Sequence, residues 1–90
     1  MPSRIHVISY DIRDDKRRLR VMRHLKRYCR HAQLSVFECK LSKPLLEKLM
    51  EELTLLANGD RDLIDICTAE KPPTRLVGER KFDDESRWVI

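Results

Sequence analysis

The sequence predicts an α+β domain of the ferredoxin-like arrangement, β-α-β-β-α-β with an extra C-terminal strand, and three observations lead to it. Short apolar runs rich in β-branched residues alternate with two segments that show a helical apolar period. The first run, residues 4–10, has little polar surface on either side, as a central strand requires. Two amphipathic helices can cover only one face of a small sheet, so the other face must be polar or be covered by a partner.

Local signals place the elements of the first half of the chain. After the first strand, Asp14 or Asp15 can cap a helix that runs to about residue 29. Residues 32–41 alternate in polarity and contain no residue typical of a tight hairpin turn. They therefore form one long strand, or two pieces joined by a bulge near Leu34 and Ser35.

The second half contains one helix and two further strands. Ser42 can cap a leucine-rich helix that ends at Asn58-Gly59. Residues 63–68 are expected to form a strand, and residues 74–78 a short edge strand.

The length and the C-terminal residues predict one domain that dimerises. Ninety residues support a single core, which we place in residues 1–81. Residues 82–90 form a tail whose last three residues are apolar, and we expect it to dock on the partner subunit. The strands also carry more apolar side chains than one covered face needs: Leu34, Val36, Leu63, Ile64 and Ile66. A two-fold homodimer packed sheet to sheet would bury this excess.

The formal net charge of +4 is distributed unevenly. Residues 1–43 hold 12 basic and 4 acidic side chains, whereas residues 44–90 hold 7 basic and 11 acidic ones. A cationic face of this kind is typical of a protein that binds a polyanion such as nucleic acid, although a basic helix can also be merely solvated. The basic residues of the first helix and its end that we predict to contact nucleic acid are Arg17, Arg23, Arg27 and Arg30.

Three widely spaced cysteines and the absence of targeting signals predict a cytoplasmic protein. Cys29, Cys39 and Cys67 form no C-x-x-C pair, which argues against zinc. We expect all three to be buried free thiols, as is usual in a reducing compartment. No run of residues is long and apolar enough for a membrane helix, so we expect no membrane partner.

Several classes of active site are excluded or disfavoured. The serines near strands lack a nucleophile elbow, and two glycines cannot build a glycine-rich phosphate loop. The three histidines, His6, His24 and His31, lack metal-ligand spacing on one helical face, so an ordinary structural or surface role is expected for each.

Asp11 is the candidate metal ligand. It follows the buried first strand and precedes the basic helix, and a carboxylate in such a field can hold Mg²⁺ against a phosphate. One carboxylate is too few for a tight site, but a two-fold axis near this strand would add a second Asp11. The alternative is that Asp11 only pairs with Arg13 or Arg18.

Two sequence signatures resemble those of the Cas-two family, the small CRISPR-associated nucleases of the adaptation module. The first is VISYDI over residues 7–12, followed by DDKRRLRV over residues 14–21. The second is QLSVFEC over residues 33–39, which is similar to that family's Q-x-S-V-F-E-C. The segment Leu76-Val77-Gly78 and the acidic tail resemble the type I-C branch.

The resemblance implies a ferredoxin-like homodimer that acts as a metal-dependent endonuclease on single-stranded RNA, double-stranded DNA or both. It also implies that the dimer bridges copies of the adaptation integrase on protospacer DNA. The implied cofactor is Mg²⁺, or Mn²⁺, one ion being shared between the two Asp11 side chains of a dimer. The implied catalytic residues are Tyr10, Asp11, Arg18 and Arg20. His31, together with Ser35 and Phe37 of the second signature, is expected to contact nucleic acid. His31 stands where many relatives have arginine, which puts one phosphate contact in doubt.

Two functions therefore remain open at this point. The protein is an Mg²⁺-dependent endonuclease, or it is a non-catalytic bridge in spacer integration for which Asp11 is dispensable. A messenger-RNA-cleaving toxin of related fold is a weaker third candidate, against which the second signature argues.

Overall fold

The computed structural model describes residues 4–68 and 74–78, which form one antiparallel sheet with two helices. The elements are β1 (Arg4–Asp11), α1 (Asp15–Tyr28), β2 (Arg30–Gln33), β3 (Val36–Leu41), α2 (Lys43–Leu56), β4 (Leu63–Thr68) and β5 (Thr74–Val77). The strand order is β2-β3-β1-β4-β5, so β1 is central as predicted. The ferredoxin-like arrangement is confirmed, with β5 as the additional strand. The predictions for residues 82–90 lie outside the described residues.

Both helices pack on one face of the sheet and form the core there. Alternate residues of the strands, among them Ile8 and Phe37, meet Leu25 of α1 and Leu49 of α2, and all four side chains are fully buried. The helices also contact each other through Glu52, which accepts a hydrogen bond from the Tyr28 hydroxyl at 3.0 Å. The second carboxylate oxygen of Glu52 lies 3.1 Å from His24 Nε2.

The opposite face of the sheet contains buried polar side chains. Ser9 of β1 lies between Val36 of β3 and Asp65 of β4, and all three side chains are buried. Arg75 of β5 forms an ion pair with Asp65. Of the five apolar residues expected to be in excess, only Leu34 is exposed, at 91%, whereas the four others are buried within the chain. The argument for a dimer from excess apolar strand residues is therefore wrong, because single-chain packing already covers them.

The segment predicted as one long strand or a bulged pair is a hairpin. Strands β2 and β3 run antiparallel, with the turn at Leu34 and Ser35 and a register irregularity between His31 and Gln33. The turn contains no glycine, but the Ser35 carbonyl accepts a hydrogen bond from the Tyr10 backbone N–H at 3.1 Å. Pairing with β1 thus fixes a turn that local sequence does not reveal.

The prediction of three free thiols is wrong for two of them. Cys29 and Cys39 form a disulfide, because the end of α1 lies beside β3 and brings the two Cα atoms to 4.3 Å. Cys67 on β4 is free and half-buried.

Gly78 ends the described part of the chain in close contact with the segment before β4. Its φ of +100° is one that L side chains rarely adopt, and a Cβ atom there would lie 2.2 Å from the Asp62 carbonyl oxygen. In the described residues, neither helix is long and apolar enough to cross a bilayer.

Candidate functional site

Asp11 lies where the central strand ends and the connection to the basic helix begins. It is half-buried and pairs in register with Leu63 of β4. The side chain of Asp14 caps α1 by accepting a hydrogen bond from the Arg17 backbone N–H at 2.9 Å. This hydrogen bond and the adjacent cations hold the pKa of Asp14 below its usual value. The carboxylate of Asp11 is therefore followed within four residues by the N-terminus of α1.

Arg18 is the cation that the structure places against this connection. Its guanidinium donates hydrogen bonds to the carbonyl oxygens of Ile12 and Arg13, at 3.2 and 3.4 Å, and pairs with Asp15. The side chain is nevertheless 45% exposed. Arg18 thus both orders the residues after Asp11 and keeps surface for a ligand.

Tyr10 joins β1 to the β2–β3 hairpin. Its hydroxyl donates to the Leu34 carbonyl at 3.4 Å, and its ring stacks on Phe37 with centroids 6.2 Å apart. Burial raises the pKa of Tyr10, an effect that the charge of Arg18 partly opposes. Tyr10 is only 2% exposed, so in this conformation it packs beneath the surface and holds the end of β1 against the hairpin.

His31 and Phe37, from the second signature region, form one stacked unit of the hairpin. Their ring centroids are 4.7 Å apart, and His31 Nε2 lies 3.2 Å from the Leu34 carbonyl oxygen. His31 is exposed, whereas Phe37 has no exposed surface and Ser35 in the turn is half-buried. Of these three, His31 offers most of its surface to a ligand.

Arg17 has a partner that sequence reasoning missed. Its guanidinium donates two hydrogen bonds to the fully buried carboxylate of Asp62, from Nε at 2.9 Å and from Nη2 at 3.2 Å. Asp62 raises the pKa of Arg17, and its carboxylate also accepts the Asn58 backbone N–H at 2.8 Å. The two residues are 45 positions apart, and no local signal in the sequence pairs them.

The remaining predicted cations lie on the outward side of α1 and at the start of β2. The exposed basic residues of this stripe are Arg20, Arg23, Arg27 and Arg30. The spacing of Arg20, Arg23 and Arg27 follows the helical period, opposite to the buried Val21 and Leu25, and Arg30 follows at the start of β2. With a rise of ~1.5 Å per residue, the three helical cations extend along about 10 Å of the surface.

The donor set at Asp11 fits a hard cation only in part. Carboxylate oxygens are the ligands that Mg²⁺ prefers, and Ser9, two residues earlier on the same face of β1, has a buried hydroxyl with no hydrogen-bond partner among the described residues. Within residues 4–68 and 74–78, however, no three His, Cys, Asp or Glu side chains cluster as a metal site would. Further ligands would have to come from water, the nucleic acid or a second subunit.

Comparison with known proteins assigns the family. The sequence model of the family described as CRISPR associated protein Cas2 matches residues 4–72. The CRISPR-associated endoribonuclease Cas2 4 of Rhodospirillum rubrum is 48% identical over an aligned length of 95 residues. The alignment covers 99% of this chain and 75% of that protein. The CRISPR-associated endonuclease Cas2 2 of Thermus thermophilus is 41% identical over 73% of each chain.

Two solved structures share the fold. A hypothetical protein from Thermus thermophilus superposes with a TM-score of 0.72 at 39% identity, covering 74% of this chain and 82% of that one. Cas2 of Streptococcus pyogenes has the same fold, with a TM-score of 0.66 at 24% identity over 70% of this chain and 82% of that one. With the two signatures, the strand order and these matches in agreement, the chain belongs to the CRISPR-associated Cas2 family.

Proposed function

We propose that this protein is a metal-dependent endonuclease of CRISPR adaptation that cleaves phosphodiester bonds of DNA, RNA or both. The observation that carries the proposal is the position of Asp11, half-buried at the end of β1 and four residues before the first residue of the basic helix α1. Relatives named endoribonuclease and endonuclease support a nuclease activity. The same names leave the choice between RNA and DNA to experiment.

In this proposal Asp11 is the metal ligand, and one Mg²⁺ or Mn²⁺ ion is shared between the Asp11 side chains of two subunits. The ion, when bound, would supply a more acidic water and neutralise charge on the phosphate. Arg18 lies beside the residues that follow Asp11, so it can stabilise negative charge as it develops on the phosphate. Arg20 is exposed on the next part of the helix and would hold a flanking phosphate.

The exposed cations of α1 and β2 provide the nucleic-acid interface. Those of α1 follow one helical stripe, Arg30 follows at the start of β2, and together they would contact phosphates without reading the bases. Binding should therefore depend little on sequence and decrease steeply as salt is added. His31, exposed and stacked on Phe37, would add a contact at the end of this stripe.

A metal titration with the Asp11→Asn variant tests the nuclease. Cleavage of duplex DNA and of single-stranded RNA is measured at increasing Mg²⁺ or Mn²⁺, and binding is measured separately. We expect the variant to lose cleavage by at least ~100-fold while binding stays within about twofold, because asparagine keeps the shape and loses the charge that holds the ion. The matched control is Asp60→Asn, an exposed carboxylate of the loop before β4. Cleavage by Asp11→Asn at the wild-type rate would contradict the assignment.

The second candidate function is a non-catalytic bridge between copies of the adaptation integrase. It is favoured by the charge difference between α1, which is basic, and α2, which carries Glu47, Glu51 and Glu52. The basic stripe would lie along protospacer DNA, and the acidic half would contact the integrase. Spacer integration reconstituted with the cognate integrase separates the two functions, since Asp11→Asn would integrate spacers as well as wild type if the protein is only a bridge.

Both functions require the two-fold homodimer, in which the tail of residues 82–90 is proposed to dock on the partner. Deleting residues 82–90 should shift the sedimentation coefficient toward that of a monomer at micromolar concentration. A wild-type chain that sediments as a monomer under the same conditions would contradict the dimer.

A further inference from the structure

The disulfide between Cys29 and Cys39 closes a covalent ring around the β2–β3 hairpin. The bonded residues are 10 positions apart, and the ring contains all of β2, the turn and the first three residues of β3. Among the predicted nucleic-acid contacts inside this ring, Arg30 and His31 are exposed, Ser35 is half-buried and Phe37 is fully buried. One bond therefore encloses the whole segment that continues the basic stripe beyond α1.

Apart from the disulfide, β2 has few attachments. All four of its side chains are exposed, and the one packing contact described for them is that of His31 with the buried ring of Phe37. Its pairing with β3 contains a register irregularity, and β2 is an edge strand with one neighbour. Cys29 itself caps α1 with its backbone N–H, which donates to the Leu25 carbonyl at 2.8 Å. The disulfide thus ties the end of α1 and the start of β2 to the fully buried Cys39 of β3.

We infer that Cys29 and Cys39 form a redox pair that sets how firmly the hairpin is held and, through it, the affinity for nucleic acid. The inference rests on the proposed function in one respect, because nucleic acid is taken as the ligand of the stripe. Contact with the candidate site runs through Tyr10, whose N–H and hydroxyl donate to the carbonyls of Ser35 and Leu34. Tyr10 directly precedes Asp11, so loosening the hairpin also loosens the support of the site.

The two cysteine residues differ in burial, which favours attack on the more exposed one. Cys29 is half-buried, whereas Cys39 has no exposed surface. A thiolate of an external dithiol attacks the Cys29 sulfur, the bond to Cys39 breaks, and Cys39 leaves as a thiolate that takes up a proton. The second thiol of the reductant then displaces Cys29, so that the dithiol loses two electrons and the protein disulfide gains them. Oxidation by an external disulfide reverses these steps.

Cys67→Ser serves as the background for the test, since Cys67 is the remaining cysteine and lies on β4, away from the hairpin. The Cys67→Ser protein is prepared oxidised and reduced with dithiothreitol, and the redox state is verified by thiol alkylation and mass spectrometry. Binding of fluorescent duplex DNA is measured in both states at one salt concentration. Amide hydrogen exchange of residues 30–38 is followed without nucleic acid.

We expect the reduced protein to bind duplex DNA about threefold to tenfold more weakly and to exchange the hairpin amides faster, with core exchange unchanged. Cys29→Ser in the same background should match the reduced protein and stop responding to dithiothreitol. Serine is placed at the half-buried position because a hydroxyl at Cys39 would be buried in the core.

Equal DNA affinity and equal hairpin exchange in the two redox states would overturn the inference while leaving the proposed function intact. A protein that binds no nucleic acid in either state would instead contradict the proposed function. Hydrogen exchange would then still decide whether the disulfide controls the hairpin.

Discussion

The two helices have the same length and cover the same face of the sheet, yet they differ in which side chains stabilise them. Half of the 14 residues of α1 are Lys or Arg, and only Val21 and Leu25 are buried. Helix α2 buries three leucines and has a mixed, weakly acidic surface. The Asp14 side chain caps α1, whereas the Ser42 hydroxyl makes no capping hydrogen bond. The difference teaches that α2 is specified by packing, while most of the charge on α1 is not needed for folding.

The largest expected effect is in the packing of α2. Leu53 is fully buried, so Leu53→Ala should lower the free energy of unfolding by about 3 kcal/mol through reduced burial and the cavity it leaves. Chemical denaturation measures the loss, and Leu55→Ala, which is 86% exposed in the wild type, is the control on the same helix. DNA affinity of the folded Leu53→Ala protein should be unchanged; a large loss of affinity would break the distinction between the helices.

Arg17 is the exception that sharpens the comparison, because this cation of α1 is structural. Asp62→Ala should lower the free energy of unfolding by about 2 kcal/mol, since it removes a buried carboxylate that accepts three hydrogen bonds. The matched control is Asp60→Ala, an exposed aspartate of the same loop. Equal stability of the two variants in denaturant would show that the pair with Arg17 is not stabilising.

The exposed cations at the end of α1 and the start of β2 should show the reverse pattern. Replacing Arg27 or Arg30 with alanine should weaken duplex binding by about 1 kcal/mol or less. The slope of the logarithm of the binding constant against the logarithm of the salt concentration should decrease in magnitude by up to ~1 for each phosphate that the variant no longer neutralises. Stability should change little, because both side chains are exposed. Binding curves at several salt concentrations that overlay the wild type would mean that this face is only solvated.

The smallest effect concerns the cap of α1 and appears only in acid. The pKa of Asp14 is lowered in the folded state, so its contribution to stability is full above the unfolded pKa and is lost as pH falls through the folded pKa. Below about pH 4, the melting temperature of the Asp14→Asn protein should therefore decrease less with falling pH than that of the wild type. The reason is that asparagine also caps helices and does not titrate. Identical melting profiles of the two proteins from about pH 5 to about pH 2.5 would contradict this role.

Periodic segments were predictable and long-range pairings were not. The bounds of β4 and of α1 follow from local apolar patterns and from Asp14, which need no tertiary information. The hairpin at Leu34 and Ser35 was missed because its turn is held by Tyr10, 25 residues before Ser35 in the chain. The buried pair of Arg17 with Asp62 and the bond of Cys29 to Cys39 depend on the packed fold in the same way.

The same distinction between local signals and long-range packing applies to the candidate site. The position of Asp11 at a strand end and the exposed stripe on α1 could be read from the sequence, since both follow from local periodicity. The burial of Tyr10 and Phe37 could not, because it arises from stacking between β1 and the hairpin. The sequence therefore identifies which residues are available for chemistry better than it identifies which of them face a ligand.

The contact at Gly78 restricts how the sequence at this position can vary. Any side chain there would have to adopt an unfavourable backbone angle and push against the carbonyl of Asp62, the residue whose carboxylate holds Arg17. Arg75 of β5 also donates a hydrogen bond to the Gly78 carbonyl, at 3.3 Å, and so holds Gly78 in place next to the sheet. Gly78, after β5, thus lies against Asp62, just before β4, and Asp62 in turn binds Arg17 in the first turn of α1. In a library of variants selected for folding alone, without any nuclease or DNA-binding requirement, position 78 should remain glycine.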